Sequence, residues 1–166
     1  DAKFIFTQTA KAVDAITVTT EYLANNIRKL TDKPVIVAPN SFDPSFHLIE
    51  NKKHLGPLRI IWGGSITHEI DLKMIAPVVK RIKDKYDVKF VVVGDNRIKQ
   101  WWDIDMEIEP TVEIEYYQQR LASLGGDIGI CPLVDDEFNR NKSNIKALEV
   151  GLLGLPVVCS PTVYSS

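Results

Sequence analysis

Apolar residues gather into four short runs, Leu58 to Trp62, Val88 to Val93, Ile128 to Val134 and Val157 to Ser160. None alternates apolar with polar, so each reads as a parallel strand covered on both faces. Between them lie segments of helical period: from about His68 to Lys83, from Glu115 to Leu124, and from a start at Asn141 or Ser143 to a stop near Gly154 and Pro156. Strands alternating with helices predict an α/β fold, a Rossmann-like parallel sheet with helices on both faces joined by right-handed crossovers. Upstream, Val13 to Thr20 reads as a β-branched strand, Glu21 to Leu30 as a helix and Val35 to Ala38 as a second short strand.

Two segments are harder to place. Asp103, Asp105, Glu107 and Glu109 alternate with Ile104, Met106 and Ile108, as in an edge strand, and their spacing fits no calcium loop. Trp101 and Trp102 just before them suit packing or a lid. In the following helix Tyr116, Leu121 and Leu124 are the candidate core contacts, and Gly125-Gly126 ends it.

Composition narrows the function classes. A chain of 166 residues with 45% hydrophobic and 25% charged residues and net charge −2 is an ordinary globular chain with no electrostatic case for binding nucleic acid. No apolar run approaches the ~20 residues of a transmembrane helix. Cys131 and Cys159 fall in apolar strands without CxxC spacing, so they read as core thiols in a reducing compartment, and no metal site is expected.

Candidate chemistry lies along the helix that starts near residue 141. At about 100° per residue Lys142, Lys146 and Glu149 share a stripe roughly 60° wide, beside an apolar stripe of Ile145, Leu148 and Leu152. Two lysines at that spacing repel each other, and cations near a helix N-terminus oppose its dipole. A bound anion would reverse both penalties, with the amides from Ser143 to Ile145 completing a phosphate seat. The alternative is a solvated face on which Glu149 pairs with Lys146. On the first reading Lys146→Ala lowers nucleotide affinity with little loss of stability; on the second it leaves binding unchanged. Gly63-Gly64-Ser65 ends the first strand of the main run, where glycines let backbone approach a ligand closely; a plain tight turn is the other reading.

The segment NKSNIKALEVGLLGLPVV, residues 141–158, together with DIGICP from Asp127, resembles the donor-binding half of retaining glycosyltransferases of the GT-B fold, family 4 (glycosyl transferases group 1). There a Glu, seven residues and a second Glu span this helix start, followed by Gly-x-Pro. The second Glu matches Glu149; the first falls on Asn141, so this chain is similar to the branch carrying Lys-Ser-x-x-Lys-x-x-Glu.

The resemblance implies transfer of a sugar from a nucleoside-diphosphate donor to a glycan or lipid-linked acceptor with retention of configuration, without a metal or other cofactor. It assigns Gly63, Gly64, Ser65, Lys142, Asn144, Ile145 and Lys146 to the diphosphate, Glu149 to the ribose hydroxyls, and Asn141 and His68 to the transferred sugar. The Arg and Lys that the family commonly carries in the glycine loop are missing between Gly63 and Leu72, which leaves Ser65, Thr67 and His68 there, with Lys142 and Lys146 in compensation.

It also divides the chain: residues 1–40 as the end of an acceptor-side domain, 41–57 as a connection punctuated by Pro44, Gly56 and Pro57, and 58–166 as a nucleotide-sugar-binding domain cut short at its end. The expected setting is the cytoplasm, with the full protein peripheral at the inner face of a membrane. The isolated chain is expected to bind nucleotide without transferring sugar. Two other readings are a nucleotide-sugar 2-epimerase of the same fold, for which a His and carboxylate acid/base set is not apparent, and a non-catalytic flavodoxin-like nucleotide-binding module.

Overall fold

The computed structural model describes residues 2–43 and 49–164; the expected punctuation at Pro44 lies outside them. Five parallel strands form the main sheet in the order β5-β4-β3-β6-β7: β3 (Leu58–Gly63), β4 (Val88–Val93), β5 (Met106–Glu109), β6 (Ile128–Cys131) and β7 (Val157–Cys159). The four expected apolar runs are all strands, and the Asp103 to Glu109 segment supplies the edge, four residues long and parallel to β4.

Because both faces are covered, alternate residues of one strand feed two cores. Ile60, Trp62, Phe90 and Val92 face a cluster with Leu72 and Val79 of α3 (Glu69–Lys85) and with Trp101 and Trp102. Ile61, Val91 and Val93 face the other, with Leu121 and Ala122 of α4 (Ile114–Ser123) and Leu153. The tryptophans are packing residues and no lid: Trp102 is 1% exposed, meets Phe90 edge-on at 5.6 Å between centroids, and donates its indole N–H to the Leu72 carbonyl at 3.0 Å. Of the acids beside them, Glu107 pairs with Arg59 and Lys89, and Glu109 with Arg120.

Leu121 and Leu124 are buried as expected, but Tyr116 is exposed and Tyr117 packs on the core instead. The reason is helical phase, since Tyr117 lies one turn before Leu121 and Tyr116 points to the side. The loop after β6 also differs from expectation. A helical turn, α5 (Glu137–Arg140), opens with Asp136 accepting from the Asn139 amide, and the site helix, α6, covers only Ile145–Gly151. Asn141 and Ser143 therefore precede the helix rather than cap it. Gly154 follows in a left-handed conformation, φ 71°, which ends the turn before β7. A short helix, α7 (Pro161–Tyr164), comes after β7.

The first 40 residues build a separate unit. Helix α1 (Ala2–Ala12), unanticipated from the sequence, leads to β1 (Ile16–Val18), which pairs in parallel with β2 (Val35–Val37). Thr20 caps α2 (Glu21–Arg28) by accepting from the Leu23 amide, and Ala24 and Ile27 pack on Val18 in a small core of their own. Among the described residues no helix is long and apolar enough to cross a membrane.

Gly129 shows how closely α6 seats on the sheet: a Cβ there would fall 2.3 Å from Val150 Cγ1. Gly129→Ala is expected to cost ~1–3 kcal/mol by overpacking, and Val150→Ala in the same chain to restore part of it, as read from urea unfolding midpoints.

Candidate functional site

Strand β3 lies between β4 and β6, so the chain leaves its end toward one side of the sheet and leaves the end of β6 toward the other. Crevices for ligands in doubly wound sheets open at such switch points, beyond the carboxyl ends of the strands. A cavity of about 320 Å³ opens there. Its walls come from the ends of β3 (Trp62, Gly63) and β6 (Ile130, Cys131), the following loop, His68, Asn141 to Ser143, Ile145, Lys146 and Tyr164, with Thr19 from the first unit. Of the expected site residues Gly63, His68, Asn141, Lys142, Ile145 and Lys146 thus meet at one cavity, and Gly64, Ser65, Asn144 and Glu149 do not line it.

Lys142 and Lys146 reach the cavity by different routes. Lys142 sits in the turn ahead of α6, its ammonium over the exposed Phe138 ring at 4.8 Å. Lys146 lies in the first turn of α6 and is held on three sides: its Nζ is 3.1 Å from Glu149, 3.3 Å from the Tyr117 hydroxyl and 4.9 Å from the Tyr117 ring centroid. Burial works to lower the Lys146 pKa, but Tyr117 and Glu149 outweigh it and the net direction is up, so the ammonium stays charged. Tyr117 was missed in favour of its neighbour. Its place is set by Gly63, where a Cβ would come within 2.2 Å of the Tyr117 hydroxyl oxygen. The glycine at the strand end therefore makes room for the group that orients the lysine.

Neither sequence reading of the lysine stripe holds in full, although Glu149 does pair with Lys146 and both lysines do line one cavity. The lysines are not neighbours on one helix, a seven-residue helix has little dipole for them to oppose, and Lys146 is not on a solvated face. Glu149 is 8% exposed, and Lys146 is the cation beside it. Among the described residues the Ser143 and Asn144 amides meet no acceptor.

On the opposite wall His68 closes a 3₁₀ turn (Ile66–His68) ahead of α3. Its Nδ1 lies 2.8 Å from Asp71 Oδ2. Asp71 is 3% exposed, and its other oxygen accepts from the Val134 amide at 2.8 Å and from the Asn139 side chain at 3.1 Å. One buried carboxylate thus ties the glycine-loop wall to the loop after β6. Asn141, at the position of the family's first Glu, has both ends of its amide engaged: Oδ1 accepts from Asn26 of α2, and Nδ2 donates to the Glu137 carbonyl. Asn40 donates to Ser143 Oγ at 2.5 Å, and Tyr22 and Asn26 donate to Glu137, so the first unit is hydrogen-bonded to this loop.

No protein-family model and no curated protein matches the sequence. Solved structures do. The crystal structure of TarM superposes with a TM-score of 0.59 at 16% identity, over 95% of this chain and 31% of that one. A variant of S. aureus TarM in complex with fondaparinux, α-GlcNAc-glycerol and UDP gives 0.61 at 16% identity, over 98% and 32%. The chain has the fold of one part of TarM. It spans about a third of the length of those chains, and the shared architecture is the Rossmann-like half of the GT-B fold.

The Lys146–Glu149 pair overturns the expectation that Lys146→Ala leaves stability nearly unchanged. Removing the ammonium strands a buried carboxylate, which costs ~1–3 kcal/mol after allowance for the partial exposure of the lysine. Chemical denaturation should show that loss for Lys146→Ala and recovery of most of it in Lys146→Ala with Glu149→Leu. An equal loss in the double variant would mean that the carboxylate is not what the lysine stabilises.

Proposed function

We propose that the cavity binds the diphosphate of a nucleotide-sugar donor, and that the chain is the donor-side part of a retaining, metal-independent glycosyltransferase of the GT-B family 4 type. The observation that carries this reading is the convergence of Lys142 and Lys146 with the Gly63 loop at the switch point of the sheet. The fold likeness supports it, because the matching TarM variant was crystallised with UDP and TarM is a GT-B glycosyltransferase.

Departure of a diphosphate builds negative charge, and catalysis needs positive potential already in place where that charge develops. In this reading Lys142 and Lys146 supply it. On the same reading Glu149, which lies behind Lys146 and not on the cavity wall, accepts from the ribose hydroxyls only once the anion draws Lys146 off it. The Ser143 to Ile145 backbone and the Gly63 to Ser65 loop give the remaining donors to the phosphates. Residues 58–166 are the donor-binding domain in this reading, the unit around β1 and β2 belongs to the acceptor side, and the acceptor is a glycan or a lipid-linked glycan. The reading carries a cytoplasmic setting with it. The epimerase alternative gains nothing from His68 and Asp71, since that carboxylate is buried among protein donors and does not line the cavity.

Titration calorimetry with UDP, GDP and ADP is expected to show binding of one of them, unaffected by a chelator. Lys142→Ala should weaken it about tenfold or more, the worth of one charge-assisted contact, with unchanged melting because that ammonium rests on an exposed ring. No binding of any of the three, or equal affinity in Lys142→Ala, would sink the assignment.

A further inference from the structure

We propose that His68, oriented by Asp71, is the third cation of the diphosphate seat, and that it enters that role by taking a proton from solvent as the donor binds. This rests on the diphosphate reading above and moves His68 from the sugar to the phosphates.

Three contacts fix the imidazole. Asp71 takes Nδ1, the Trp62 ring meets it edge-on at 5.8 Å between centroids, and Gly64 lies beneath, where a Cβ would fall 2.7 Å from Trp62 and 3.3 Å from His68 Cδ2. An imidazole whose Nδ1–H is given to a carboxylate has Nε2 left to serve the cavity. Among the described residues Nε2 has no hydrogen-bond partner. Asp71 itself is saturated by Val134 and Asn139, so it acts only through the ring, as a positioning residue.

The charges around the ring set the sequence of events. Burial lowers the His68 pKa most, and the Lys142 and Lys146 ammoniums across the cavity lower it further, against the pull of Asp71. The other titratable groups lining the cavity, Cys131 and Tyr164, are held neutral by burial, the former pushed up to about 12. The empty site at neutral pH therefore has two cations and a neutral ring, which avoids a third like charge with no counterion. A diphosphate placed among them reverses the balance, because it cancels the lysine repulsion and offers Nε2–H an anionic acceptor. The proton comes from buffer on binding and returns on release. A glycine loop with no Arg or Lys between Gly63 and Leu72 gains in this way a cation that exists only when ligand is present.

The test uses the sugar ester of whichever nucleoside diphosphate binds, UDP-glucose in the first instance, because its diphosphate does not titrate between pH 6 and 9. Calorimetry near pH 7.5 in two buffers of different ionisation enthalpy should show uptake of ~0.3–1 proton, and affinity should rise by up to about tenfold per pH unit as pH falls toward 6.5. His68→Gln should bind with no proton uptake, with an affinity independent of pH and lower than that of the parent at pH 6.5. Asp71→Asn, with folding checked by melting, should shift the pH profile, whereas a merely structural role for Asp71 would leave the profile of the folded fraction in place. Lys142→Gln should still take up a proton while binding more weakly. Binding without uptake, or uptake that persists in His68→Gln, would overturn the proposal and leave the diphosphate reading intact. Absence of binding by UDP, GDP and ADP esters alike would overturn both.

Discussion

Strand β3 is hydrogen-bonded on both sides, to β4 through six register pairs and to β6 through two, and everything at the ligand edge depends on that unequal pairing. Full pairing with β4 aligns Gly63 with Val93, and the Gly64 amide continues the ladder by donating to the Val93 carbonyl at 3.0 Å. Short pairing with β6 ends at Ile61 and Gly129, so beyond it the two strand ends part and leave the wedge that becomes the cavity. The loops that leave β3 and β6 turn to opposite sides of the sheet, which keeps the gap open for a ligand.

Into that wedge the chain places charge that folding alone would disfavour. Lys146 is kept ionised by a buried carboxylate and a tyrosine, while His68 is kept neutral by burial and by the lysines. The two walls are thus set to opposite protonation habits, and Asp71 ties the His68 wall to the loop after β6. Stability and function compete for the same groups here. Glu149 stabilises Lys146 in the empty site, and any anion that recruits Lys146 must replace that partner.

The sheet could be read from the sequence because continuous runs such as Phe90 to Val93 admit few other interpretations, and the glycine loop could be placed at a strand's carboxyl end because Gly63-Gly64-Ser65 directly follows one of those runs. Other features lay outside local pattern. Tyr117 and Tyr116 are equally aromatic, and only the phase set by Ile114 at the helix start separates them. Asp71 reads in EIDLK as an acid favouring a helix N-terminus; the signal that could have found it is the His68-x-x-Asp71 spacing, one turn apart. The break between α5 and α6 was hidden because NKSNIKALEV has helical period throughout, and the hydrogen bonds from Asn26 and Asn40 that hold residues 141 and 143 come from more than a hundred residues away.

The described side-chain bonds between the first unit and the loop after β6 are all polar: Tyr22 and Asn26 to Glu137, Asn26 to Asn141, and Asn40 to Ser143. Among the described residues no hydrophobic cluster spans the two; the core around Val18 and the cores of the main sheet are separate. The bonds to Glu137 are exposed and can be exchanged for bonds to water at a net cost of order 1 kcal/mol or less, whereas those to Asn141 and Ser143 are part-buried. Because these contacts fall on the same loop that carries Lys142, the grip of the first unit and the placing of one cation of the seat depend on the same few polar groups.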